Sequence, residues 1–287
     1  MITIAKIKAI CQNPSTYESA GFVDKINLKI AVYFTWLFLH LGISANLVTI
    51  LSGILCVLGG ILLTSKSIMV FLIGVLLYNF FPVLDCCDGH VARYNNQSSM
   101  YGRFLDWYMV FIFDATMYIG ISIGALSLNF SKILFILSLL AVITPLMIKT
   151  VLTGGWTAIC WERLDVLAGK KSPPSKKKIQ LDTQNNNHIQ NHTKTIKTWI
   201  NIFITASFSH LAPIVLLILS LSQIIINNYY IPNFDFRPFL IFYIGIIGPI
   251  YCLLLLRKRF KEKSFDKGYN LLFSESKFIE LPKDYFF

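Results

Sequence analysis

The chain has 287 residues, of which 55% are hydrophobic and only 14% charged, with a mean hydropathy of +0.60. That balance excludes an ordinary soluble domain and a disordered chain, and places the sequence among polytopic membrane proteins. A formal charge of +11 raises nucleic acid as a partner, a reading that depends on where the cations fall.

Residues 1–24 are mixed and polar and read as a cytosolic N-terminal arm. Met1 to Lys29 has no apolar stretch ending in a small-residue cleavage site, so no cleavable signal peptide is expected. Residues 25–43 are short, aromatic and basic at their start, which suits an amphipathic helix lying in the membrane interface. A first span of unusual length is the alternative. Residues 44–256 then hold six apolar runs, at about 47–64, 68–84, 104–126, 133–152, 199–226 and 239–256. The expected fold class is therefore all-α: six transmembrane helices preceded by an interfacial helix.

Pro82 and Pro145 lie inside the second and fourth runs, where proline kinks a helix. Gly120-x3-Gly124 in the third is a helix-contact pattern, expected to pack spans three and four rather than to make a dimer. Residues 161–196 shift to lysine and asparagine and read as a basic cytosolic loop, either against anionic lipid or simply solvated. Residues 257–287 read as a cytosolic tail.

If the side facing the junction of spans two and three is cytosolic, only Lys66, Lys132 and Arg237 of the 26 Lys and Arg residues fall opposite. That asymmetry follows the positive-inside rule and puts both termini in the cytosol. It also accounts for the net charge, and no nucleic-acid partner is expected. The six cysteines form no CxxC pair and sit mostly in or beside apolar runs, as small buried hydrophobes do. His210 in span five reads as a residue hydrogen-bonded between helices, and His188 and His192 as loop residues.

The chemistry concentrates between 85 and 106. Asp85, Asp88 and Ala92 share one helical face, with Gly89 and Arg93 on its edge, and Gly102 and Asp106 share a face of the next helix. If the two helices pack antiparallel through these faces, three carboxylates converge at a membrane surface. Such a cluster repels itself unless a cation sits in it, and an oxygen-only donor set suits a hard divalent ion such as Mg²⁺ or Mn²⁺. The glycines leave room for a phosphate or sugar against the backbone, and Arg93 suits a phosphate oxygen.

The pattern Asp85-x2-Asp88-Gly89-x2-Ala92-Arg93-x8-Gly102-x3-Asp106 resembles the signature of the CDP-alcohol phosphotransferases, integral membrane enzymes of phospholipid synthesis. The resemblance implies a transferase that moves a substituted phosphate group from a CDP-activated donor to a lipid, alcohol or phosphorylated acceptor, releasing CMP. It implies Mg²⁺ or Mn²⁺ on Asp85, Asp88 and Asp106, and nucleotide or phosphate at Gly89, Ala92, Arg93 and Gly102. Membrane lipids are implied partners, and a homodimer is left open. The alternative from another class is a non-catalytic nucleotide- or lipid-binding membrane protein, or a transporter, that kept the cleft.

One position departs from the signature. The family places a fourth Asp four residues after the third, the usual base, and here that residue is Val110. Asp114 stands eight residues past Asp106, ~12 Å along a straight helix, too far to share one ion. Asp106 itself, His90 beside the motif and Asp114 after a helix distortion are the candidate catalytic groups, and an acceptor that is already anionic would need no base. Read structurally, His90 is a helix-surface residue and Asp114 a hydrogen-bonding partner for another span. Trp107 beside Asp106 reads as an interfacial anchor, or as a ring stacked on a bound base.

Overall fold

A computed structural model of the chain describes residues 2–12, 17–18, 20–128, 130–167, 212–231 and 233–262, with the backbone alone for 152–167 and 259–262. All regular structure among these residues is helical: α1 (Ile4–Cys11), α2 (Phe22–His40), α3 (Ala45–Leu63), α4 (Ile68–Tyr94), α5 (Met100–Leu128), α6 (Lys132–Leu167), α7 (Ala212–Tyr229) and α8 (Arg237–Glu262). From α3 onward six of them are long and apolar enough to cross a membrane, with α6 reaching that standard over Lys132–Val151 and α8 over Arg237–Lys258. The expected six-span, all-α class is what the chain adopts. The polar stretch before residue 25 is not featureless, because it contains α1. Residues 161–167, expected in the basic loop, continue α6, while the lysine run at 170–178, His188, His192, Trp199 and His210 lie outside the described residues.

The boundaries follow local chemistry. Ser44 caps α3 through its side chain, which accepts from the Leu47 amide at 3.4 Å. Gly42, at φ +67°, ends α2 in the left-handed conformation, and the Ile43 amide then closes back onto the Phe38 carbonyl at 2.9 Å. Asn96, at φ 53°, ends α4 in the same way, with Gln97 bonding back to the Ala92 carbonyl at 2.8 Å. Ser99 then receives the Gly102 amide at 3.0 Å and starts α5. The two motif halves are thus joined by a turn five residues long between Tyr94 and Met100.

The chain divides into two compact units. One contains α1 to α5, the first part of α6, α7 and the first part of α8; the other contains the remaining parts of α6 and α8. In the first unit α3 is the central element, packing lengthwise against both α4 and α5. Small residues allow this. A Cβ on Gly74 of α4 would lie 2.9 Å from the Gly59 carbonyl of α3, and one on Gly60 would lie 2.8 Å from the Thr116 carbonyl of α5. The Tyr78 hydroxyl knots the three helices, lying 2.9 Å from the Cys56 carbonyl and 2.8 Å from Thr116 Oγ1.

The Gly120-x3-Gly124 pair packs differently from expectation. Gly120 meets the backbone of Gly60, and Gly124 meets Leu63 and the Arg237 side chain, so the pair seats span three on span one rather than on span four. Arg237, only 2% exposed, is held by Asp235 through three contacts of 2.7–3.1 Å and donates to the Ser65 carbonyl at 2.7 Å. That fastens the end of the first unit remote from the acidic motif. On the other side of α4, α2 packs through Ala31, Val32 and Thr35, and α1 lies against both.

Candidate active site at the ends of α3, α4 and α5

The motif helices α4 and α5 touch each other only sparsely. The first turns of α3 lie between them and contribute the residue that orients the acidic cluster. Thr49 Oγ1 donates to Asp88 Oδ2 at 2.6 Å. Asp88 is buried and lies within electrostatic reach of Asp106 on α5 and Arg93 on its own helix. The two helix faces expected to pack on each other thus barely touch, and Asp88 and Asp106 interact only electrostatically, at helix ends with α3 between them.

Arg93 is exposed, and its guanidinium folds back along α4 to lie 3.3 Å from where a Cβ on Gly89 would stand. A side chain at 89 would crowd it there. A Cβ on Gly102 would stand 3.3 Å from both Asn46 Oδ1 and Ser99 Oγ, so this glycine marks a narrow polar gap between α3 and α5. Asp85, one turn below Asp88, is half-buried and within electrostatic reach of Cys56 on α3. Ala92, Gly102 and Asp106 are also half-buried.

Among the described residues, no group of three or more His, Cys, Asp or Glu side chains stands together ready to hold a metal ion. By donor chemistry the fit to a hard divalent ion is good. Asp85, Asp88 and Asp106 offer oxygens only, and Asp88 and Asp106 repel each other in a way a shared cation would relieve.

The remaining candidates stand apart from this cluster. His90 is completely enclosed on the α2 side of α4, with Nδ1 3.2 Å from Thr35 Oγ1. The Thr35 hydroxyl already donates to the Ala31 carbonyl at 2.7 Å, so Nδ1 carries the proton, and Nε2 is buried with no hydrogen-bond partner among the described residues. Asp114 is buried two turns along α5 from Asp106, within electrostatic reach of Cys56, Tyr78 and Tyr118. Val110, half-buried between them, offers no oxygen. Trp107 is exposed and packs edge-on against Phe111 at 4.7 Å.

Sequence reasoning missed Thr49 and Asn46. Neither stands out in the sequence: two polar residues three apart on one face in the first turns of a helix are ordinary.

Fold and composition together define an integral membrane protein that gathers acidic residues and an arginine where helices end. Residues 42–225 match the family profile of the CDP-alcohol phosphatidyltransferases, and the chain belongs to that family. The match runs from the turn before α3 into α7 and so takes in every residue described above at the cleft. No curated protein is similar enough to count as a relative. Membership points to membrane phosphotransferase chemistry on a CDP-alcohol donor and an alcohol acceptor, in a family that generally uses a divalent metal.

Proposed function

We propose that the protein transfers a substituted phosphate group from a CDP-activated donor to a lipid, alcohol or phosphorylated acceptor, with release of CMP, in phospholipid or related glycolipid and polysaccharide synthesis. The observation that supports this best is the Thr49-anchored Asp88 carboxylate facing Asp106 beside Arg93, within a chain of this family.

Asp85, Asp88 and Asp106 would hold Mg²⁺ or Mn²⁺, which when bound neutralises phosphate charge and stabilises the leaving CMP. Arg93 contacts a phosphate oxygen, and Gly89, Ala92 and Gly102 leave space for the nucleotide. The acceptor oxygen bonds to the donor phosphorus as the bond from that phosphorus to CMP breaks, and CMP departs with the electron pair. With a hydroxyl acceptor the proton passes to Asp106. His90 and Asp114 could serve only after α4 or α5 rearranged. Val110 in place of a base favours an acceptor oxygen that is already ionised, as on a phosphorylated alcohol. By the charge asymmetry of the sequence, the cleft and both termini face the cytosol.

The test is CMP release from CDP-alcohols by Asp85→Asn and Asp88→Asn proteins in detergent, at matched amounts and melting temperature. Loss of metal-dependent release in both is expected. Unchanged release would end the proposal and favour a binding protein that kept only the cleft.

A further inference from the structure

The outer face of the α1–α2 pair plays no part in the chemistry above, yet it has the makings of a binding site. The two helices run antiparallel: Trp36 Nε1 donates to the Ile2 carbonyl at 3.3 Å and Gln12 Nε2 to the Leu28 carbonyl at 2.9 Å. Between them opens a groove of about 410 Å³, lined by Ile4, Tyr33, Phe34, Trp36 and Leu37. That volume falls within the range of about 300–1,000 Å³ usual for ligand pockets. The groove continues an apolar stripe along α2, where Phe22, Ile26, Ile30, Tyr33, Leu37 and Leu41 are all exposed at spacings of three and four.

Charge is arranged along the same line. Lys29 precedes Tyr33 by one turn and Lys25 precedes Lys29 by another, on the same side of α2. On α1, Lys8 follows Ile4 by one turn, and the antiparallel pairing carries it toward the same end as Lys29. Asp24 is the only carboxylate within either helix. An apolar trough flanked toward one end by cations matches an amphiphile with an anionic head, and the chain's surroundings supply one.

We propose that α1 and α2 bind one anionic phospholipid of the bilayer, its acyl chain in the Ile4–Tyr33–Leu37 groove and its headgroup against Lys8, Lys25 and Lys29. A single side chain links this groove to the motif helix, because Phe34, which lines it, packs edge-on against Phe80 of α4 at 5.0 Å. The site does not depend on the proposed reaction.

Native mass spectrometry of the full-length protein in detergent, with dioleoylphosphatidylglycerol or dioleoylphosphatidylcholine added, tests it. One phosphatidylglycerol should be retained per chain in preference to phosphatidylcholine. Retention should weaken about fivefold for each lysine neutralised in Lys25→Gln and Lys29→Gln, and be lost in Tyr33→Asp/Leu37→Asp at an unchanged melting temperature, since both side chains are exposed. Equal retention of the two lipids, or undiminished retention in the folded variants, would overturn the proposal. So would a dimer that dissociates in Tyr33→Asp/Leu37→Asp, because a second copy of the chain would then cover the groove. If the aspartate variant fails to fold, the lysine variants decide alone.

Discussion

Thr49 shows how one side chain joins fold to chemistry. Its hydroxyl, on α3, holds Asp88 Oδ2 on α4 at 2.6 Å. Partners of this kind around a metal ligand are commonly worth about 10–100-fold in metal affinity. Thr49→Val should therefore raise the Mg²⁺ or Mn²⁺ concentration needed for half-maximal CMP release by about that factor, while Thr49→Ser should restore it; a metal titration of activity reads both. Val110 is the complementary case, an apolar residue where the family signature has a carboxylate. Val110→Asp should speed transfer to neutral hydroxyl acceptors and leave transfer to phosphorylated ones unchanged, and equal effects on both would show that proton removal is not limiting. The carboxylates, glycines and Arg93 were legible in the sequence because their types and spacings are chemically unusual. Thr49 was not, since the hydroxyl of a helical threonine ordinarily turns to its own backbone, and this one lies 3.1 Å from the Ala45 carbonyl as well as 2.6 Å from Asp88 Oδ2.

Among the elements, α3 decides the arrangement. Spans one to four were readable from length and hydropathy; α3 and α5 fall close to the expected limits, whereas α4 runs ten residues past its expected end and carries the first half of the acidic motif. Which helix lies between which was not readable, because an apolar surface inside a bilayer does not announce its partner. Gly120-x3-Gly124 illustrates this. The pattern signals close approach, but only the neighbouring Gly60 and Leu63 identify the approached helix as α3. A β-carbon at Gly120 would run into the Gly60 backbone, so Gly120→Val should cost about 1–3 kcal/mol by overpacking, seen as a lower melting temperature with reduced activity. Ile123→Val, on the exposed side of the same helix, should change neither. α1 was missed for a different reason: eight residues are too few for a lasting periodic signal, and the helix depends on Ile7 and Cys11 packing against Val32.

At the scale of the whole molecule, the cleft and the Arg237 clamp lie at opposite ends of the same three helices. Arg237 and Asp235 satisfy each other where little water reaches, so removing one leaves an uncompensated charge. Arg237→Met should destabilise by about 3–5 kcal/mol, whereas Arg237→Met with Asp235→Leu should recover much of the loss; thermal unfolding in detergent distinguishes them. The positive-inside pattern counted Arg237 as a stray cation on the far side, and its carboxylate partner two residues earlier was visible in the sequence. Its contact to the Ser65 carbonyl was not, because 172 residues separate them.

The account as a whole requires that Asp85, Asp88 and Asp106 act together on a CDP-activated substrate. The most direct measurement is CMP release by the purified protein, reconstituted with a lipid extract and a panel of CDP-alcohols, as Mg²⁺ or Mn²⁺ is titrated in and then chelated. CMP should appear with at least one donor only when the ion is present, stop on chelation, and be absent for Asp106→Asn at every metal concentration. CMP release that persists in chelator, or that Asp106→Asn sustains at the wild-type rate, would contradict the account.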